Sequence, residues 1–198
     1  IVGHPAEFHF RVLGGMRFEH RTTKYKDTDG VSADPSEGMW GGELSLAHDL
    51  NGGLMGYVAL SRGYKAGGFN LGVVPAGQRT FGDEVLWSVE AGVKTMLMNN
   101  RLLINAAAFY SRRDDQQVRI SEQINPNDPA SFVFFTVNDT ARGNVQGLEA
   151  DLRWYASDAV ELYASLGLMS SELGESGRDL AHAPRYSISA GAVYRSAS

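Results

Sequence analysis

The segment Gly147–Trp154 reads GLEADLRW, and its side chains alternate strictly between the two chemical classes. Leucine, alanine and tryptophan occupy the even positions, whereas glycine, glutamate, aspartate and arginine occupy the odd positions. Successive side chains of a β-strand point to opposite faces of its sheet, so this period of two predicts a strand with one apolar and one charged face.

The same alternation recurs along most of the chain. The segments that carry it are 8–20, 40–50, 54–66, 87–97, 101–123, 132–155, 160–168 and 187–195. Taking each as one strand gives about eight strands, and none of the stretches between them has helical periodicity. We therefore expect an all-β, antiparallel, up-and-down fold.

The connections between these segments alternate in length. Three are short, at 51–53, 98–100 and 156–159, and four are long and polar, at 26–39, 67–83, 124–131 and 171–183. Outer-membrane barrels have tight periplasmic turns on one rim and long extracellular loops on the other. Several segments also reach the ~9–11 residues that a tilted strand needs to cross a bilayer. The pattern favours a transmembrane β-barrel.

Composition narrows the function classes. Of the 198 residues, 43% are hydrophobic and 21% are charged, which is typical of a folded protein. Cysteine is absent, which excludes disulfides and thiolate chemistry. The net charge is −5 with scattered lysine and arginine, so we expect no nucleic-acid partner. No stretch approaches the ~20 apolar residues of a transmembrane helix.

The charged residues of the expected strands are candidates for the barrel lumen, because a charge on the lipid face near the midplane costs about 2–4 kcal/mol for Arg or Lys. The candidates are Arg17, Glu19, Glu90, Lys94, Glu149, Asp151, Arg153 and Glu161.

Aromatic residues gather near the ends of the expected strands. Tryptophan and tyrosine form girdles at both membrane interfaces of such barrels. The candidates for these positions are Tyr57, Trp87, Tyr110, Trp154, Tyr155 and Tyr194. Any one of them alone is better explained as a packing residue.

Five motifs resemble, in order, those of TonB-dependent outer-membrane receptors. They are ALSRGYKAGGFN at 59–70, Glu84 followed by VEAGVKT at 89–95, NAAAFYSRRDDQQV at 105–118, ARGNVQGLEADLRW at 141–154, and LAHAPRYS at 180–187. The motif glycines Gly63, Gly67, Gly68 and Gly147 are expected where a strand leaves the barrel wall or faces the plug. The simpler explanation, which we favour, is that they are bulge or turn residues that touch no ligand.

The resemblance implies a larger protein. Receptors of this family have barrels of about 22 strands with a plug in the lumen, so we interpret residues 1–198 as a segment of the barrel domain and expect the plug outside it. The implied function is import of a scarce nutrient, a ferric siderophore above all. The implied partners are outer-membrane lipid, the remainder of the receptor, the TonB complex and a small-molecule ligand.

No enzymatic arrangement is recognisable. The five histidines show no paired metal-ligand spacing, and we expect neither a catalytic residue nor a cofactor or resident metal. One long loop holds the acidic residues Asp27, Asp29, Asp34 and Glu37, which could chelate calcium but do not follow the EF-hand pattern.

Two other interpretations remain open. Eight strands can close into a small barrel filled by side chains, with a structural or adhesive role. A soluble β-sandwich that serves as a binding module also alternates polar and apolar residues.

Overall fold

The computed structural model describes residues 10–28, 30–51, 53–75, 77–174 and 183–196. Its strands, in chain order, are β1 (Phe10–Thr22), β2 (Tyr25–Lys26), β3 (Ser32–Ala33), β4 (Ser36–Asn51), β5 (Leu54–Lys65), β6 (Gly68–Phe69), β7 (Thr80–Phe81), β8 (Glu84–Leu97), β9 (Leu102–Asp114), β10 (Gln116–Gln123), β11 (Phe132–Asp139), β12 (Gly143–Tyr155), β13 (Val160–Leu173) and β14 (Tyr186–Tyr194). No helix in this part of the chain is long and apolar enough to span a membrane.

The eight long strands form one antiparallel sheet in the order β1-β4-β5-β8-β9-β12-β13-β14. Each long strand is hydrogen-bonded to the long strands that precede and follow it along the chain, which is an up-and-down arrangement. The fold class expected from the alternating pattern is confirmed.

Two of the expected strands are each divided in two. The segment 101–123 breaks at Asp115, whose φ of 54° lies in the left-handed region, and the segment 132–155 breaks at residues 140–142. The prediction of single strands was wrong: both breaks lie in polar stretches, RRDDQQ at 112–117 and NDTARGN at 138–144, where the alternation is lost. The inner halves, β9 and β12, belong to the large sheet, while β10 and β11 form a separate two-stranded hairpin.

The short connections lie at one end of the sheet. β4 ends at Asn51 and β5 begins at Leu54, and the β8–β9 turn places Met98, Asn99 and Asn100 in the left-handed region. The opposite end carries the long connections, which contain the three small hairpins β2–β3, β6–β7 and β10–β11. We call these the short-turn end and the long-loop end.

The sheet is a single layer. Its large apolar side chains are exposed, among them Phe18 at 74%, Leu148 at 55% and Ile188 at 74%. The buried hydrophobic residues in the described ranges are Ala33, Met39 and Phe135. A sandwich would cover one face with a second sheet, so the β-sandwich interpretation is wrong.

The sheet is also open. In the residues that the structure describes, no ladder joins β1 to β14, and each of these strands is paired along one side only. A small closed barrel requires that ladder, so the self-contained eight-stranded barrel is not the arrangement found.

Candidate functional site

Strand register gathers the charged candidates on one side of the sheet. Cross-strand partners share a face, and the chain of partners Ala59, Glu90, Phe109, Gly147 and Met169 fixes that face across five strands. On its own strand, each of the eight charged candidates lies on this row or an even number of residues from it, so its side chain is on the same face. They are Arg17, Glu19, Glu90, Lys94, Glu149, Asp151, Arg153 and Glu161. We call this side the polar face.

Between mid-strand and the short-turn end, the polar face holds a tyrosine, a glutamate and a lysine from two adjacent strands. The Tyr57 hydroxyl on β5 donates a 2.6 Å hydrogen bond to Oε1 of Glu90 on β8. Nζ of Lys94 lies 5.3 Å from the centroid of the Tyr57 ring, within cation–π range. The arrangement presents charge and aromatic surface together, which suits binding of a polar ligand.

Glu161 lies between two arginines towards the short-turn end of the polar face. Its Oε1 is 3.5 Å from Nε of Arg153 on β12, and its Oε2 is 3.0 Å from Nη2 of Arg195. The Glu161 side chain is only 9% exposed, whereas both arginines remain more than half exposed. This triad carries one net positive charge. At the sheet edge, Arg17 pairs with Glu19 at 2.5 Å.

The opposite side of the sheet, the apolar face, carries four of the six aromatic candidates. Trp87 and Tyr110 lie towards its long-loop end, and Trp154 and Tyr194 lie towards its short-turn end. Their place at membrane interfaces stays a prediction.

The other two aromatic candidates, Tyr57 and Tyr155, differ from these four in the face they occupy, and their place at a membrane interface also stays a prediction. Tyr57 pairs with Gly92 and Tyr155 pairs with Glu161, so both lie on the polar face. Nearness to a strand end does not determine which face a side chain occupies, because that depends on the parity of its position.

Three glycines on the polar face each receive an aromatic ring from the directly paired residue. The pairs are Gly92 with Tyr57, Gly147 with Phe109, and Gly191 with Tyr163. A Cβ atom at Gly92 would lie 2.6 Å from the Tyr57 ring, and one at Gly147 would lie 2.9 Å from the Phe109 ring. Sequence reasoning missed these pairs because they depend on register between strands.

The other motif glycines differ in how tightly they are packed. A Cβ atom at Gly67 would lie 2.8 Å from Oε2 of Glu37, and one at Gly68 would lie 2.9 Å from the Phe81 ring. Gly67 also donates its backbone N–H to that Glu37 oxygen at 3.0 Å. A Cβ atom at Gly63, in contrast, would have no neighbouring atom within 4 Å. Loop packing therefore accounts for Gly67 and Gly68.

Three amide side chains join the long connections. The buried Asn70 donates to the Thr136 carbonyl at 2.8 Å and accepts from the Thr136 N–H at 2.7 Å, as a paired strand would. Gln117 donates to the carbonyl of Ala66 at 2.9 Å, and Asn138 accepts from the Gly82 N–H at 2.6 Å. Asn70 closes the KAGGFN motif, but nothing in the sequence indicated its partner.

The acidic loop does not gather a metal site in the residues described. No group of three or more His, Asp or Glu side chains there is placed to hold an ion. Asp27 accepts hydrogen bonds from the Val31 N–H and the Tyr25 hydroxyl, both at 2.9 Å. Asp29 lies outside the described residues, as do residues 180–182 at the start of the last motif.

The sheet is open and up-and-down, its two faces are apolar and charged, and its loops are long at one end and short at the other. These features define a section of a transmembrane β-barrel wall. The family model described as TonB dependent receptor-like, beta-barrel matches residues 4–197. The chain belongs to that family, whose members are outer-membrane transport proteins and not enzymes.

Solved structures agree on the fold. The ferric yersiniabactin uptake receptor FyuA from Yersinia pestis superposes with a TM-score of 0.73 at 21% identity, over 92% of this chain and 28% of that one. The ferric-catecholate import receptor Fiu from E. coli K12 gives 0.68 at 16%, over 95% and 30%. The copper transporter OprC gives 0.68 at 15%, over 95% and 31%. The chain thus spans less than a third of the length of each of these proteins.

Proposed function

We propose that this chain is one section of the barrel wall of a receptor that imports a scarce nutrient across the outer membrane. The observation that carries the proposal is the open sheet, whose two unpaired edges and two chemically opposite faces fit a section cut from a larger barrel. The plug domain and the other strands are then supplied by the remainder of the receptor. On this arrangement the apolar face contacts lipid and the polar face lines the lumen.

A ferric siderophore is the leading candidate for the nutrient. Two of the structural relatives are named for ferric complexes, the yersiniabactin and catecholate receptors, and they support this choice. The polar face offers hydrogen-bond donors and cations, with Lys94 beside the Tyr57 ring and Arg153 beside Glu161. Such groups suit an anionic or polar chelate. The copper transporter among the relatives makes copper the alternative cargo to be tested.

The polar face also suits contact with a plug. Small residues and paired charges are mixed on this face. Serine hydroxyl groups on neighbouring strands also hydrogen-bond to each other, as in Ser88–Ser111 and Ser165–Ser189, where the two Oγ atoms are 2.8 Å apart. Energy for import would come from the TonB complex acting on that plug.

The test is uptake of radiolabelled iron by cells that express or lack the complete receptor, grown under iron limitation with a panel of siderophores. We expect uptake of one ferric siderophore to depend on both the receptor and a functional TonB complex. Labelled copper is measured in parallel. Uptake that is equal with and without the receptor for every cargo would contradict the proposal.

A further inference from the structure

Three arginines lie on the apolar face, and all of them are at its long-loop end. Arg62, Trp87 and Arg112 are directly paired across β5, β8 and β9, so they form one row of side chains. Arg142 joins this row by its contact with Asp114, 3.2 Å from Nε to Oδ1. The strands of the apolar face carry no arginine or lysine at the short-turn end in the residues described.

Arg62 is held between two indole rings. Its guanidinium carbon lies 4.2 Å from the Trp40 ring centroid and 5.7 Å from that of Trp87, and it donates to the Trp40 carbonyl. The two rings meet edge to face at 5.7 Å. No carboxylate pairs with Arg62 among the described residues. The guanidinium is therefore pre-oriented, with N–H donors left for a partner.

Arg112 and Arg142 share a single carboxylate. Arg112 donates through Nε to both oxygens of Asp114 at 3.0 Å, and Arg142 contacts the same group. Together with Arg62, these side chains leave an excess of positive charge on β5 to β12. Glu172, opposite Asn144 on β13, is the nearest further acid of this face by register.

Apolar hollows lie beside and below the arginine row. One, of about 320 Å³, is lined by Leu60, Trp87, Val89, Tyr110 and Arg112 among others. A second, of about 620 Å³, lies nearer mid-strand, where small residues such as Gly56, Ala91 and Ala106 leave space beside Leu148 and Leu166. Ala91 in the second hollow pairs with Val58, which lies four residues along β5 from Arg62. That spacing places this hollow about 13 Å from the arginine row.

We propose that this part of the apolar face binds a phosphate-bearing lipid of the leaflet at the long-loop end, with the phosphate between Arg62 and Arg112 and an acyl chain in the hollows. Arg62 and Arg112 flank Trp87 two strands apart, about 10 Å between backbones, so a phosphate in front of Trp87 can receive N–H donors from one guanidinium group on either side. Guanidinium groups bind phosphate through two parallel hydrogen bonds.

The positive charge of the arginines and their expected depth in the membrane both favour a lipid as the occupant. The arginines are level with the aromatic residues of the apolar face, where a cation costs only about 0–1 kcal/mol and meets headgroups. A free phosphate ion would satisfy the arginines but would leave the hollows unfilled. The inference concerns the outer wall, so it does not depend on which cargo the receptor imports.

The test is a lipid titration of the complete receptor, purified in a non-ionic detergent, with bound lipid counted by native mass spectrometry. The probe is diphosphoryl lipid A, compared with the same lipid after removal of both phosphates and with inorganic phosphate as a competitor. The test variant is Arg62→Gln with Arg112→Gln. The matched control is Arg11→Gln with Arg101→Gln, which removes the same charge from two ion-paired, exposed arginines at the short-turn end.

We expect the test variant to bind diphosphoryl lipid A roughly tenfold more weakly than the wild type, and the control to bind it equally well. Binding of the dephosphorylated lipid should be weak and the same in all three proteins. If the double variant does not fold, each single arginine variant is measured instead, and we expect a smaller loss of affinity for diphosphoryl lipid A. Equal binding by wild type and test variant, an equal loss in the control, or full displacement by inorganic phosphate would overturn the proposal.

Discussion

Glycine on the polar face sets how closely aromatic rings approach the sheet. At Gly147 a methyl group would collide with the backbone carbonyl of Leu168 as well as with the Phe109 ring, and backbone cannot move aside as a side-chain end can. At Gly63 the same methyl group would enter open space. Two glycines of the same family motifs therefore differ in what they do for the fold.

We expect Gly147→Ala to lower the free energy of unfolding by about 1–3 kcal/mol, the usual cost of overpacking. Gly63→Ala, the matched control, should change it by no more than about 0.5 kcal/mol. Urea unfolding of the complete receptor in lipid vesicles, followed by tryptophan fluorescence, measures both. If the two variants lose equal stability, the close approach at Gly147 is not what excludes a side chain there.

The strands themselves follow from alternation, but their breaks and partners do not. The period of two located all eight strands of the large sheet, because burial of one face on each strand imposes that period on the sequence. The break at Asp115 was not predictable from it, since no glycine or proline marks the site and aspartate tolerates the left-handed region. The hydrogen bonds between Asn70 and Thr136 join residues that are 66 positions apart. Contacts between such distant residues cannot be recognised in a single sequence.

The β10–β11 hairpin is tied to the β5–β8 connection through Asn70. Removing its side chain in Asn70→Ala leaves the N–H and carbonyl of Thr136 without these partners, which costs roughly 1–3 kcal/mol when the groups are buried. We expect the Thr136 amide to exchange with solvent about tenfold faster or more. Asn125→Ala is the control, because Asn125 makes its hydrogen bonds within the hairpin tip. Unchanged exchange at Thr136 in Asn70→Ala would show that the hairpin is held elsewhere.

The two open edges of the sheet bear on how the complete protein is built. Among the residues that the structure describes, β1 has a ladder only with β4 and β14 only with β13, so the backbone groups on the other side of each strand have no ladder partner there. Inside a bilayer such groups cost several kcal/mol each unless they are hydrogen-bonded, which is why membrane-spanning sheets close into barrels. We therefore expect further strands beside both edges in the complete protein, and the remainder of the receptor is their proposed source.

Residues 1–198 expressed alone should therefore fail to form a stable barrel in detergent. We expect no band whose gel migration changes on heating, and rapid amide exchange along Phe10–Thr22 and Tyr186–Tyr194. The complete receptor should show heat-modifiable migration and slow exchange in both strands, because its own neighbouring strands would occupy the two edges. A monomeric, heat-modifiable species formed by the isolated chain would mean that β1 pairs with β14 in solution, and the receptor-section proposal would give way to a small closed barrel.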